Sequence, residues 1–255
     1  MTGPADDLTD PQRRAVRIEI FVVLAVTFGL SAYTALLHLI EAVILGLAGQ
    51  IIALNPRRSP IDLIDLGLNL AVVFQLLAWG ILGLYLLWRS GFGPDDIGLG
   101  RPRLRADVLG GLGLAALIGL PGLALYQLAR VLGINASVEP AELYVSWWRI
   151  PVLVAVSFAN GWAEEVIVVG FLLTRLRQLR VNPVVALIVS SLLRGAYHLY
   201  QGFGAGLGNI AMGMVFGYAW MRTGRLWPLI IAHGVIDTVA FVGYALLADQ
   251  LGWLQ

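Results

Sequence analysis

Two adjacent carboxylates, Glu164 and Glu165, stand inside a run otherwise apolar enough for a lipid bilayer, from Ala163 to Leu173. A charge at the bilayer centre costs at least about 2.5 to 3.5 kcal/mol, so two neighbouring acids need partners or a water-filled cavity. The chain has three histidines, and two of them, His198 and His233, also lie in apolar segments. Asp237 follows His233 by four residues, again in apolar surroundings and one helical turn away. Carboxylates and imidazoles at one buried place are the groups of general acid–base catalysis. They also mark ion pathways through membranes. The constellation Glu164, Glu165, His198, His233 and Asp237 is read as an active site on three hydrophobic helices.

The composition says what positions these groups. Of 255 residues, 58% are hydrophobic and 13% charged, and the mean hydropathy is +0.80. Those values belong to a polytopic membrane protein, so the expected fold is an all-α transmembrane helix bundle in a lipid bilayer. The net charge of +1 and the lack of basic runs interleaved with aromatics argue for no nucleic-acid partner. All 17 basic residues are arginine, and there is no cysteine, so any metal would have to use His and carboxylate ligands.

Residues 1–17 read as a polar N-terminal tail and 18–134 as N-terminal transmembrane helices, followed by a catalytic core from 135 to 255. The first span runs from Ile18 to about Gly49, too long for a cleavable signal peptide. The second runs from Leu63 to Trp88 and the third from Ala106 to about Leu132, with Gly110, Gly111, Gly113, Gly119 and Gly122 available for close helix approach. Trp147, Trp148 and Arg149 read as an interfacial anchor before the fourth span, which starts near Pro151 and carries Glu164 and Glu165. The fifth span, 183 to about 200, carries His198. The glycines from 202 to 208 do not match a nucleotide-binding spacing and, with Gly213 and Gly217, serve packing in the sixth span. The seventh, Leu226 to about Leu247, carries His233 and Asp237. Seven spans are expected, or eight with a broken or re-entrant helix.

Arginine placement orients the bundle. With the N-terminus cytoplasmic, twelve arginines fall in inner segments and four in outer loops, which suits an integral protein of the plasma membrane. At about 1.5 Å per residue, Glu164, His198 and His233 then lie roughly 16, 14 and 12 Å from the inner edge. All three sit near the middle of a ~30 Å core.

The run Glu164-Glu165 through Val169-Gly170-Phe171-Leu172-Leu173, then His198, then His233 with Asp237, resembles the three motifs of the CAAX prenyl protease and bacteriocin-processing (CPBP, or Abi) family of intramembrane endopeptidases. The resemblance covers roughly residues 150 to 245. At two positions the chain departs from the family pattern: Val169 stands where the family usually has Arg, and Arg194 where it usually has Phe. Val169 is one turn after Glu165 and Arg194 one turn before His198, so both flank the cluster. Arg194 is therefore expected to reach across and pair with Glu165.

The resemblance implies an endopeptidase in which Glu164 with His198 activates water and His233 with Asp237 supports the oxyanion. Peptide hydrolysis needs those functions and a proton for the leaving amine. Glu164, His198 and His233 could hold Zn²⁺ with an open position, or a carboxylate could activate water without metal, and the sequence leaves both open. The substrate class implied is a peptide or membrane protein, prenylated or not. An ion-coupled transporter and a catalytically inactive scaffold or immunity protein are the competing readings. His38 and Glu41, one turn apart on the first span, match no motif and are assigned structural or interfacial roles. Asp62, Asp65 and Asp107 suit helix starts. The oligomeric state is not legible.

Overall fold

The computed structural model describes residues 8–139, 141, 146–243 and 246. Eight helices are described: α1 (Asp10–Val26), α2 (Phe28–Leu45), α3 (Asp62–Arg89), α4 (Leu104–Val131), α5 (Arg149–Gln178), α6 (Pro183–Ala196), α7 (Phe203–Thr223) and α8 (Trp227–Gly243). Four of them, α2, α3, α4 and α5, are long and apolar enough to cross a bilayer. The chain is thus a helical membrane protein, but these four do not establish a count of seven spans.

Helical structure begins at Asp10, inside the stretch expected to be a polar tail. The Thr9 backbone N–H donates to Gln12 Oε1 at 2.8 Å, which satisfies one of the free donors of the first turn. The expected first span is two helices. Thr27 departs from helical geometry (φ −124°, ψ −117°), and its hydroxyl donates back to Val23 O at 2.7 Å. The break turns Phe28 inward, where its ring packs on Trp79 and Tyr197 with centroids 5.4 and 4.8 Å away.

α5 is the central helix: 72% of its apolar window is buried, against 17% for α3 and 11% for α4. It packs between α3 and α8, while α4 packs on α8 and α7, and α6 on α7. Trp162 Nε1 donates to Leu77 O at 3.2 Å and ties α5 to α3. Where α5 meets α8, a side chain on Gly161 would come within 3.1 Å of Gly234 N, His233 Cβ and Ile230 O. Glycine at 161 is what lets the two backbones approach that closely. On α4 only part of the glycine face is used this way: a Cβ at Gly111 would meet Ile231 at 2.6 Å, while Gly113 and Gly122 look onto open space.

From Glu165 to Phe171 the central helix widens into a π-helix. Such a stretch shifts the i→i−4 ladder and leaves carbonyls to be satisfied from outside. Ser190 on α6 donates its hydroxyl to Val168 O at 2.8 Å, fastening the widened turn.

With 14 residues α6 is only about 21 Å long, less than a bilayer core. It ends at Ala196, so His198 lies past its C-terminus and not within a span running to residue 200. A single 3₁₀ turn, Leu199–Gln201, then reverses the chain into α7. That reversal is clamped by the segment after α4: Ala136 N–H donates to Gln201 O at 2.9 Å and Phe203 N–H to Ile134 O at 3.0 Å. Asn135 Oδ1 accepts from Ala205 N–H at 3.0 Å. Beside it lies a departure from an all-α architecture, a parallel pair of short strands, β1 (Ile51–Ala53) and β2 (Ser137–Glu139).

The expected aromatic anchor is only partly one. Trp147 is exposed, but Trp148 and Arg149 are buried. Trp148 Nε1 donates to Asp62 at 3.1 Å, and the Arg149 guanidinium donates to Asn55 O. Both are therefore joined to the start of α3 and the loop before it. Asp62, Asp65 and Asp107 do open helices: Asp65 accepts from the Arg58 N–H at 2.6 Å, and Asp107 from the Arg103 N–H at 2.6 Å.

Candidate active site

The site is assembled from three pieces of chain. α5 supplies Glu164 and Glu165, the end of α6 and its turn supply Arg194 and His198, and α8 supplies His233 and Asp237. Glu164, Glu165, Arg194 and His233 are buried, while His198 and Asp237 keep partial exposure. The partly exposed pair gives the cluster its access to water.

Arg194 lies at the centre. Its Nη2 donates to Glu165 Oε1 at 2.7 Å, and its Nη1 is 3.6 Å from Glu164 Oε2. The guanidinium also stands 5.8 Å from the Phe216 ring centroid, where the ring face favours a cation. One planar cation thus serves two neighbouring acids, as its forked donors allow.

The histidine tautomers follow from their partners. Glu165 Oε1 lies 2.7 Å from His233 Nδ1, and a carboxylate can only accept, so Nδ1 carries the proton. His233 Nε2 then faces Asp237 Oδ2 at 3.7 Å. His198 Nδ1 lies 3.0 Å from the Arg194 carbonyl, which again places the proton on Nδ1 and leaves Nε2 with a lone pair.

Two residues not singled out in the sequence complete the cluster. Asn160 Nδ2 donates to Asp237 Oδ2 at 2.9 Å and to Glu164 Oε1 at 3.2 Å. The Tyr197 hydroxyl donates to Glu164 Oε2 at 2.5 Å. Asn160 had a signal, a polar side chain one turn before Glu164 on the same helix face. Tyr197 had none, because its contact depends on α6 ending where it does.

These contacts run from Tyr197 through Glu164, Asn160, Asp237, His233 and Glu165 to Arg194, and back to Glu164. Residues 146–239 match the family described as Rce1-like: Type II CAAX prenyl endopeptidase Rce1-like. This segment is similar to the Rce1-like family. The match supports the resemblance drawn from the three motifs, and it contains every residue of the cluster. No curated protein and no solved structure shows a match to the chain.

The Rce1-like segment does not present Zn²⁺ with a fitting set of ligands. Among the described residues no three His, Asp or Glu groups come together in a set that could hold a metal ion. Both Glu164 oxygens accept from side chains, His233 Nδ1 is committed to Glu165, and the positive charge between the acids is the Arg194 guanidinium. Glu164, His198 and His233 therefore share the site without forming a metal-ligand trio.

His38 and Glu41 lie apart from it. They are 3.7 Å from each other on α2 with side chains 67% and 68% exposed. Arg175, expected in an inner flank, is buried and paired with Glu19 of α1, and it donates to Leu86 O at 2.8 Å.

Proposed function

We propose that the protein is an intramembrane endopeptidase that hydrolyses a peptide bond by carboxylate-activated water, without a metal. The observation that supports this most directly is the convergence of Glu164, Glu165, Arg194, His233 and Asp237 from three chain segments onto one hydrogen-bonded cluster inside an Rce1-like segment, with His198 one turn beyond Arg194. Glu164, with the His198 Nε2 lone pair, takes a proton from water as the water oxygen bonds to the scissile carbonyl carbon. The carbonyl oxygen becomes an oxyanion, for which His233, protonated on Nε2 as well as on the Nδ1 that Glu165 holds, is the supporting donor. The proton held at Glu164 then passes to the amide nitrogen as the oxyanion re-forms the carbonyl and the carbon–nitrogen bond breaks, leaving a carboxylic acid and an amine.

On this reading Arg194 does not react. It holds Glu165 in place, and Glu165 orients the His233 ring. An inactive scaffold is the reading that Val169 would favour, since a cation usual in the family is missing there. Arg194 supplies that cation from the neighbouring helix. We place the N-terminus on the cytoplasmic side of the plasma membrane from the arginine distribution. We propose a prenylated peptide or membrane protein as substrate.

The reading is tested on detergent-purified protein with a panel of internally quenched peptides, farnesylated and not, beside measurement of bound zinc. Wild type cleaves at least one peptide, His198→Ala does not, and cleavage continues in chelator with less than stoichiometric zinc. Activity lost to chelator and restored by Zn²⁺ would overturn the metal-free mechanism.

A further inference from the structure

Glu164 is held by its two oxygens separately, and neither holder belongs to the three motifs. Tyr197 donates to Oε2 at 2.5 Å, and Asn160 donates to Oε1 at 3.2 Å while holding Asp237 Oδ2 at 2.9 Å. We propose that Tyr197 and Asn160 are positioning residues that aim the Glu164 carboxylate, and that Asn160 sets the spacing between it and Asp237. This rests on the proposed role of Glu164 as the base and adds the residues that orient it.

Three features support the assignment. First, the Tyr197 ring is buried and packed, with ring centroids 4.8 Å from Phe28 and 4.8 Å from His198. A donor fixed by packing holds its acceptor in one place, which a mobile side chain could not do. Second, a carboxylate can turn about its last torsion, which is broad and roughly two-fold. One donor on each oxygen removes that freedom and still leaves each oxygen a lone pair for water. Third, Asn160 is the side chain that joins α5 directly to Asp237 on α8 through hydrogen bonds to an acid on each. An amide can donate to two carboxylates at once without adding charge between them.

The Tyr197 hydroxyl explains why the end of α6 matters. Because the helix stops at Ala196, Tyr197 and His198 stand at its end, where the Tyr197 hydroxyl reaches Glu164 on α5 and His198 turns its Nδ1 back to the Arg194 carbonyl. Tyr197 therefore couples the break to the base, and Phe28, freed to turn inward by the kink at Thr27, backs it.

The test uses Tyr197→Phe and Asn160→Asp in the full chain, both close in shape to the native residues. With a cleavable peptide from the panel, each lowers kcat about tenfold or more with KM unchanged, as expected when orientation and not binding is lost. Wild-type kcat in both variants would overturn the proposal. A thermal-unfolding cycle in the same detergent reads the contact without substrate. Tyr197→Phe lowers the melting temperature in the wild-type background and leaves it unchanged or higher in a Glu164→Leu background, where the hydroxyl has lost its acceptor. An equal drop in both backgrounds would show a packing role only and overturn the proposal. If wild type cleaves nothing, the proteolytic reading falls by itself, and the unfolding cycle still decides whether Tyr197 holds Glu164.

Discussion

Arg194 Nη2 and Glu165 Oε1 are 2.7 Å apart, both side chains wholly removed from solvent, and the two residues come from different helices. The pair brings a cation to the motif acids from α6, where the family pattern would bring it from position 169 on α5. Val169 is itself buried in the apolar core, within the widened stretch of the helix.

Removing that cation leaves two buried carboxylates uncompensated. Breaking a buried ion pair by deleting one partner costs about 3–5 kcal/mol. Arg194→Phe, which installs the residue usual in the family, is therefore expected to lose activity and to melt well below wild type in detergent. Arg194→Lys keeps a charge but not the forked geometry and should fall between the two. Normal folding and cleavage in Arg194→Phe would contradict the assigned pairing.

A second buried pair ties α1 to the end of α5. Arg175 is enclosed, and Glu19 is partly exposed. Glu19→Leu should destabilise by about 2–3 kcal/mol, less than a fully buried pair because water reaches the acid. Combining it with Arg175→Met should recover most of that loss, because both charges are then gone. Denaturation of the single and double variants measures the coupling.

The crossing of α5 and α8 predicts opposite outcomes at two glycines. Gly161→Val forces a side chain into backbone and His233 atoms 3.1 Å from even the first added carbon, so α8 must shift and cleavage should be lost. Gly113→Ala meets nothing within 4 Å, and in a helix interior it should raise stability by about 0.5–1 kcal/mol with activity unchanged. Paired melting and activity assays decide both.

His38→Ala and Glu41→Gln should leave both cleavage and zinc content as in wild type. Their side chains are exposed on α2 and make an isolated pair at 3.7 Å. A drop in activity on either change would place them in the substrate path.

The acids and histidines of the cluster were legible because such groups are costly in apolar helices and so stand out from their surroundings. The boundaries of α3 were also legible, since Asp62 and Arg89 bracket one long and mostly apolar run. What was not legible depended on backbone geometry that apolar composition does not encode. The break at Thr27 has no proline or glycine at the residue itself, and the hydroxyl that stabilises it is of a kind often tolerated inside helices. The π-helical turn after Glu164 is fixed from outside by Ser190, a contact visible only once α5 and α6 are packed. Hydropathy extended the fifth span through His198, because Tyr197 and Leu199 are apolar enough to continue it. The clamp from Asn135 and Ala136, distant in sequence, ends it earlier. Trp148 and Arg149 have the composition of an interfacial anchor, and only their contacts with Asp62 and Asn55 reveal them as buried joints.

The most direct test is mass-spectrometric detection of product from a farnesylated Cys-aliphatic-aliphatic-X peptide incubated with wild type or Glu164→Gln, both shown to be folded by their melting curves. Wild type should release the C-terminal fragment, and the variant should do so at least about 10²-fold more slowly, the contribution expected of a general base. Equal cleavage by both proteins would contradict the role of Glu164, and no cleavage of this or any other peptide by folded wild type would contradict the endopeptidase reading itself.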